Sequence, residues 1–333
     1  MKGVILVMKK NNSARIKVKY IGLCGSDINK LKILPTKEER NRYINMMGHE
    51  IVGVVEDISS DTEDFRIGDR VVVNPFIGCQ ECNACTTQSY NLCDNINSLG
   101  KAIPGGFTKE ITVPYNSLFK ISSNINPIEG VFIDSMSVVL HSFHTVRKFD
   151  FNKKVFSVIG DGIIAMIIIK LLNVYFNPQK IYLLCNRANR IDATLLNTYN
   201  NVEIINDYKD IKNNSYSDFV FETVGGGNVT HFNKSLEIAK SNALILVLGA
   251  FYDQADFKVN LRNMFFKQYY IKGVNSYCSI ENDFQKAVDL LNDNSIKNHS
   301  LISHIYDIND VGSVIEEIIN YKHPNFMKIV FKN

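Results

Sequence analysis

Val155-Phe156-Ser157-Val158-Ile159-Gly160-Asp161-Gly162-Ile163-Ile164-Ala165 carries a continuous apolar stretch through G-x-G-x-x-A into the apolar segment Ile163–Val174. In such a turn the first glycine permits the tight bend and the second lets backbone approach a pyrophosphate. The small third residue lets helix and strand pack closely, and the helix N-terminus offers free N–H groups and partial positive charge. The motif alone is common, but here a strand precedes it, a helix follows, and a second strand comes at Ile181–Leu184, the context that dinucleotide binding requires. Gly160, Gly162, Ile163 and Ala165 are therefore predicted to hold a nicotinamide dinucleotide. About 20 residues on, where an acidic side chain would take the ribose hydroxyls of NAD, the chain has Cys185-Asn186-Arg187. Arg187 with Arg190 suits the 2′-phosphate of NADP, whereas Asn186 or backbone groups suit the ribose of NAD. Both cofactors, NAD or NADP, stay open.

Outward from this turn, strand-like and helix-like runs alternate: KVFSVIG, the helix after it, KIYLLC, then DFVFETVG, ALILVLGA and YYIKGVNSY. That rhythm predicts an α/β unit with a doubly wound parallel sheet. Upstream, RIKVKYIGL, EIVGVVEDI, RVVVNPF, FTKEITV and SLFKI read as short strands between turns, so the first ~145 residues are mainly β. Amphipathic helices around Phe284–Leu291 and Val311–Ile319 bracket a strand at Leu301–Tyr306.

Composition narrows the function. The 333 residues are long enough for two domains with cores of their own. A formal charge of +3, from 37 basic and 34 acidic side chains, comes without the basic stripe that nucleic acid would need. Ile163–Ile169, the most apolar run, is far shorter than a bilayer-spanning helix. The N-terminal MKGVILVMKK reads as a first strand and not a signal peptide. The expectation is a cytoplasmic protein that binds neither nucleic acid nor membrane.

The cysteines are the anomaly. Of seven, Cys79, Cys82, Cys85 and Cys93 crowd one short window, supplying the four soft thiolates of a closed tetrahedral zinc site. An odd cysteine total in a large chain argues against a disulfide framework. Cys24 in Cys24-Gly25-Ser26-Asp27, and His49-Glu50 after Gly48, have bland readings taken singly, as a packed thiol and a turn histidine. Beside a four-cysteine lobe and a dinucleotide turn they acquire a common explanation.

With these motifs in this order, the chain resembles the zinc-dependent medium-chain dehydrogenase/reductase family, the alcohol and sorbitol dehydrogenases. The resemblance rests on CGSD, GHEIVGVVEDI, Gly68-Asp69-Arg70-Val71, the four-cysteine lobe, Gly105-Gly106-Phe107, GDGIIA and Ile271-Lys272-Gly273. It implies a GroES-like β-rich catalytic domain over residues 1–145, with the structural zinc lobe at 79–93 and completed by 275–333. A Rossmann coenzyme domain would occupy 146–274. It also implies one catalytic and one structural zinc. Cys24 and His49 match the first two catalytic ligands. Asp134, in Asp134-Ser135-Met136-Ser137-Val138-Val139-Leu140-His141, matches the glutamate of the sorbitol branch one methylene shorter; the alternative for it is a helix N-cap, and His141 reads as a packed helix residue. Glu50 matches an acid that approaches the metal directly or through water. Ser26 matches the hydroxyl that relays the alcohol proton, and Asp27 a carboxylate that orients the ligand histidine. Asn29 departs from the histidine that finishes the relay in many relatives.

The resemblance implies oxidation of a secondary alcohol in a polyol, sugar or cyclitol, phosphorylated or not, with Tyr277 in a segment like that of the polyol branch. Lys30, Lys32 and Arg42 are candidate phosphate contacts. A simple alcohol dehydrogenase or NADPH-dependent aldehyde reductase is the second reading, and a coenzyme-binding protein without catalysis the third. Relatives are dimers or tetramers, which points to a homodimer or homotetramer joined around Tyr269–Gly273.

Overall fold

The computed structural model describes residues 12–59, 62–100, 103–185, 198–206, 217–227, 229–252, 255–256, 258–320 and 325–333. The N-terminal run read as a first strand, together with Asn186, Arg187 and Arg190, lies outside them. The chain packs as two units, Met1–Ser137 with Tyr277–Asn333, and Val138–Ser276. The sequence places the boundaries at 145/146 and 274/275; the two packed units divide at 137/138, within the residues of helix α4 (Ile133–His144), and at 276/277.

The first unit is built on a sheet of β1 (Ser13–Gly22), β2 (Glu50–Ile58), β3 (Arg70–Val73), β6 (Glu110–Pro114), β7 (Leu118–Lys120), β14 (Ile302–Asp307) and β15 (Lys328–Lys332). Their order is β14-β15-β1-β2-β3-β7, and β6 pairs with β1. In β1 the residues Ala14, Ile16 and Val18 are buried while Arg15 and Lys17 face out, the two-residue period of a half-buried strand. Helix α9 (Val311–Ile319) sends Val311, Val314, Ile315 and Ile318, one helical stripe, into the core that β1 and β2 line. The run RVVVNPF divides into β3 and a separate β4 (Phe76–Ile77). Asn74 Oδ1 accepts from the Phe76 N–H at 3.0 Å, and Pro75 has no N–H to give a ladder. β4 then pairs with β5 (Asn97–Ser98) beside the cysteine lobe.

The second unit holds a parallel sheet of β8 (Val155–Ile159), β9 (Lys180–Leu184), β10 (Val202–Ile205), β11 (Ser217–Glu222), β12 (Ala239–Val247) and β13 (Tyr270–Gly273), ordered β10-β9-β8-β11-β12-β13. The direction of strand addition reverses between β8 and β11, the switch point at which doubly wound sheets open a ligand crevice. Helix α5 (Ile163–Tyr175) buries every residue from Ala165 to Leu172. The apolar strands β8 and β11 are likewise almost wholly buried, as in a parallel sheet covered on both faces.

Candidate active site and metal centres

The four-cysteine loop closes around short helix α3 (Asn83–Thr86). One sulfur from each of Cys79, Cys82, Cys85 and Cys93 lies within 4.8 Å of every other, and Cys79 Sγ is 3.9 Å from Cys85 Sγ. Sulfurs bound to one tetrahedral zinc at about 2.3 Å stand roughly 3.8 Å apart, so the donor set fits that metal. Backbone N–H groups of Glu81 and Cys82 aim at Cys79 and bring its thiol down to about 7. Burial pushes Cys85 up to about 12.

The second constellation gathers on three elements of the first unit. Helix α1 (Gly25–Lys32) starts at Cys24, and the Asp27 carboxylate in its first turn accepts from the Cys24 N–H at 3.3 Å. The other Asp27 oxygen faces His49 Nδ1 at 3.4 Å and accepts from the Gly48 N–H, also at 3.4 Å. Burial works against the Asp27 charge, but His49 and Lys30 outweigh it and hold the carboxyl below the usual aspartate range. His49 therefore spends one nitrogen on a carboxylate, the partner that fixes the tautomer of metal-binding histidines. Its Nε2 points the other way, 3.9 Å from Asp134 Oδ2 in the first turn of α4. Ligand atoms of Cys24, His49 and Glu50 lie within 4.8 Å of one another. Burial disfavours an imidazolium here, yet Asp27 and the Cys24 sulfur hold His49 well above the ordinary histidine range. The cluster is rich in anionic donors and draws positive charge, which is what a divalent cation supplies.

Asp134 lies in the first turn of α4, and its Oδ1 accepts from the Tyr277 hydroxyl at 2.8 Å. Burial and the Asp134 charge push the Tyr277 phenol well above its usual range, so it stays a donor. Glu50 is engaged on both oxygens: the Lys328 ammonium donates to each at 2.7 Å, and Ser135 Oγ donates at 3.3 Å. Burial opposes the Lys328 charge, but Glu50 overcomes it and holds the lysine above its usual range. Ser26 and Asn29 are half-buried on α1. Lys30 donates to the Gly100 carbonyl at 3.3 Å, and Arg42 is exposed on α2 (Lys37–Ile44).

In the second unit Gly160 has φ +126°, and a Cβ there would meet Thr223 Oγ1 at 2.3 Å, so the turn requires glycine on both counts. Gly162 is the N-cap of α5, and a Cβ at that position would meet nothing within 4 Å. That open space at a helix N-terminus fits a pyrophosphate. Ile163 is half-buried, and Ala165 is fully buried against the sheet. Cys185 is buried too, with its thiol directed at Asn206 Oδ1, 3.7 Å away.

The family model for the alcohol dehydrogenase GroES-like domain matches residues 10–123. A zinc-type alcohol dehydrogenase-like protein of Escherichia coli strain K12, YdjJ, is 24% identical over 323 residues, covering 94% of this chain and 90% of that protein. The crystal structure of galactitol-1-phosphate dehydrogenase from Escherichia coli superposes with a TM-score of 0.83 at 21% identity, covering 100% of this chain and 96% of that one. The chain is a zinc-dependent oxidoreductase that carries the alcohol dehydrogenase GroES-like domain. Galactitol 1-phosphate 5-dehydrogenase of Escherichia coli strain K12 is 30% identical to this dehydrogenase over 167 residues, 50% of this chain and 46% of that protein. Among the described residues of the dehydrogenase, no helix is long and apolar enough to cross a membrane.

Two site residues of the dehydrogenase escaped the sequence reading. Lys328 sits in a short terminal strand with no motif around it, and its one signal is a lysine at the head of the apolar run Ile329–Phe331. Asn74, whose Oδ1 lies 3.4 Å from the Tyr277 hydroxyl, reads in sequence only as a turn former.

Proposed function

We propose that the dehydrogenase oxidises a secondary alcohol of a polyol or sugar to the ketone, reversibly, using NAD or NADP. Cys24, His49 and Asp134 would hold a catalytic zinc, and Cys79, Cys82, Cys85 and Cys93 a structural one. The carrying observation is Asp134 Oδ2 facing His49 Nε2 at 3.9 Å. A charge count supports this set over one that includes Glu50. Glu50 and Lys328 neutralise each other, leaving the Cys24 thiolate and the Asp134 carboxylate to balance a divalent cation. A zinc held there would supply Lewis acidity toward an alcohol oxygen, and a bound nicotinamide would supply the hydride acceptor.

The chain's own residues do the rest. Asp27 orients the imidazole through Nδ1, and Ser26 passes the alcohol proton toward solvent. Asn29 does not titrate near neutrality, so the proton leaves by water, Glu50 or the coenzyme ribose. Gly162 and Ile163 at the N-terminus of α5 would hold the pyrophosphate, while Gly160 makes the turn and Ala165 lets the helix pack closely on the sheet. The name of the galactitol 1-phosphate relative favours a phosphorylated polyol. A reducing, cytoplasmic setting suits seven cysteines of which none is in a disulfide.

The dehydrogenase pairs with a second copy through β13. That strand ends the parallel sheet with Tyr270–Gly273 all exposed, and the neighbouring helix α7 (Leu261–Lys267) exposes Leu261, Phe265 and Phe266. An unpaired edge flanked by exposed aromatics is a surface that association covers.

A panel of polyols and their phosphates against primary alcohols, with NAD and NADP in parallel and read by nicotinamide absorbance, tests the activity. Turnover of a polyol that disappears in Cys24→Ala together with one zinc is expected. Turnover of primary alcohols alone would overturn the substrate class, and no turnover of any alcohol would overturn the catalytic assignment.

A further inference from the structure

We infer that Tyr277 is a positioning residue that makes Asp134 a ligand through a single oxygen, and that the four-cysteine lobe holds Tyr277 in place to do so. The inference rests on the reading of Asp134 as the third catalytic ligand. Aspartate is one methylene shorter than the glutamate it replaces, so its reach and aim need outside support. A carboxylate free to rotate presents either oxygen, or both, to a cation. Here the Tyr277 hydroxyl has one proton to give, and its short contact goes to Asp134 Oδ1 at 2.8 Å, leaving Oδ2 as the oxygen that faces His49 Nε2.

The phenol itself is fixed. Its ring is 2% exposed, with Phe76 edge-on at 5.0 Å and Phe284 at 5.6 Å. Just past it in sequence, the Cys278 N–H donates to Asp283 Oδ2 at 3.2 Å. The Ser279 and Ile280 N–H groups both donate to the Gln88 carbonyl, at 3.1 and 3.2 Å. Gln88 lies inside the cysteine loop, between Cys85 and Cys93, in a left-handed conformation with φ 58°. That conformation ends helix α3 just past its C-cap, and the Gln88 N–H donates to the Cys85 carbonyl at 3.0 Å, which ties Gln88 to a cysteine of the lobe. The lobe is thus joined to the Asp134 carboxylate through a short rigid chain: Gln88, the Ser279–Ile280 backbone, the Tyr277 ring and hydroxyl. Partners one step behind a ligand typically change metal affinity by about 10–100-fold.

The test uses full-length protein loaded with zinc, and in parallel with cobalt(II), whose visible absorption reports coordination geometry. Tyr277→Phe is expected to release the catalytic-site zinc to a chelator about tenfold faster than wild type, to keep the four-cysteine zinc, and to shift the cobalt band. Release and spectrum identical to wild type would overturn the inference. Asp134→Asn separates the two levels. If it too leaves both readouts unchanged, Asp134 is not a ligand and the underlying reading fails. If it changes both while Tyr277→Phe is silent, only the positioning role fails. Should Tyr277→Phe not fold, site-specific 3-fluorotyrosine at position 277 keeps the donor but makes it more acidic. A shifted cobalt band with zinc retained supports the inference, and an unshifted band overturns it.

Discussion

The Lys328 ammonium stands 2.7 Å from both carboxylate oxygens of Glu50 although 278 residues separate the two. They sit on β15 and β2, with β1 between, and meet above Gly22, which registers with Glu50 on one side and with Val330 on the other. Both side chains are buried, at 1% and 0% exposure. Removing one partner strands a buried charge, so Lys328→Met is expected to cost about 3–5 kcal/mol, read as a lower denaturant midpoint. Replacing Glu50 by Met as well should restore most of that loss, because apolar packing substitutes well for a buried ion pair.

Gly22 permits that crossing. A Cβ at position 22 would lie 2.0 Å from Glu50 Oε2. Gly22→Ala should destabilise by about 1–3 kcal/mol through overpacking, and the cost should shrink in a Glu50→Ala background. An equal cost in both backgrounds would assign it to some other contact.

Arg40 on α2 and Glu316 on α9 form a two-point pair, with Arg40 Nη2 2.8 Å from Glu316 Oε2 and Nε on the other oxygen. The hydrogen bonds from Arg40 hold the Glu316 carboxyl below the ordinary glutamate range. The lowered acid contributes stability above its unfolded pKa of about 4.3 and loses it as pH falls through the lower folded value. Glu316→Gln should therefore be less stable than wild type by roughly 1–2 kcal/mol near neutrality. The two proteins should converge once the pH falls below the folded value. Thermal melts across that range measure it, and a gap that persists in acid would contradict the pairing.

The cysteine lobe predicts an order of alkylation. In metal-stripped protein at pH 7, Cys79, with its thiol near 7, should react with iodoacetamide first, and Cys85, near 12, last. Peptide mass spectrometry reads the order, and loading with zinc should protect all four. Early labelling of Cys85 would contradict the arrangement.

The exposed edge gives a simple assay. Ile271→Asp combined with Phe265→Asp should shift the protein toward monomer in sedimentation velocity without lowering zinc content, since both residues belong to the second unit and every sulfur of the two metal clusters to the first. A wild-type protein already monomeric at assay concentrations would refute the second-copy pairing.

Much of this molecule is legible in its sequence because its signals are local. The Gly160–Ala165 turn, the strand EIVGVVEDI at Glu50–Ile58 and the helix Val311–Ile319 are short-range patterns of spacing and polarity, and they form where those patterns place them. The four cysteines share one loop, so their convergence could be read from spacing. β10, only four residues in a polar stretch, carried too little periodicity to be read; it forms because β9 offers it a partner. The catalytic cluster is of the other kind. Cys24, His49 and Asp134 could be named, but which carboxylate faces His49 depends on where Tyr277 and Lys328 arrive, and both come from the C-terminal segment folded back onto the first unit. Only the pairing of β15 with β1 brings Lys328 to Glu50, and only the Tyr277 hydroxyl aims Asp134. Those are long-range contacts between buried polar groups, each of which must find its partner in the packed interior.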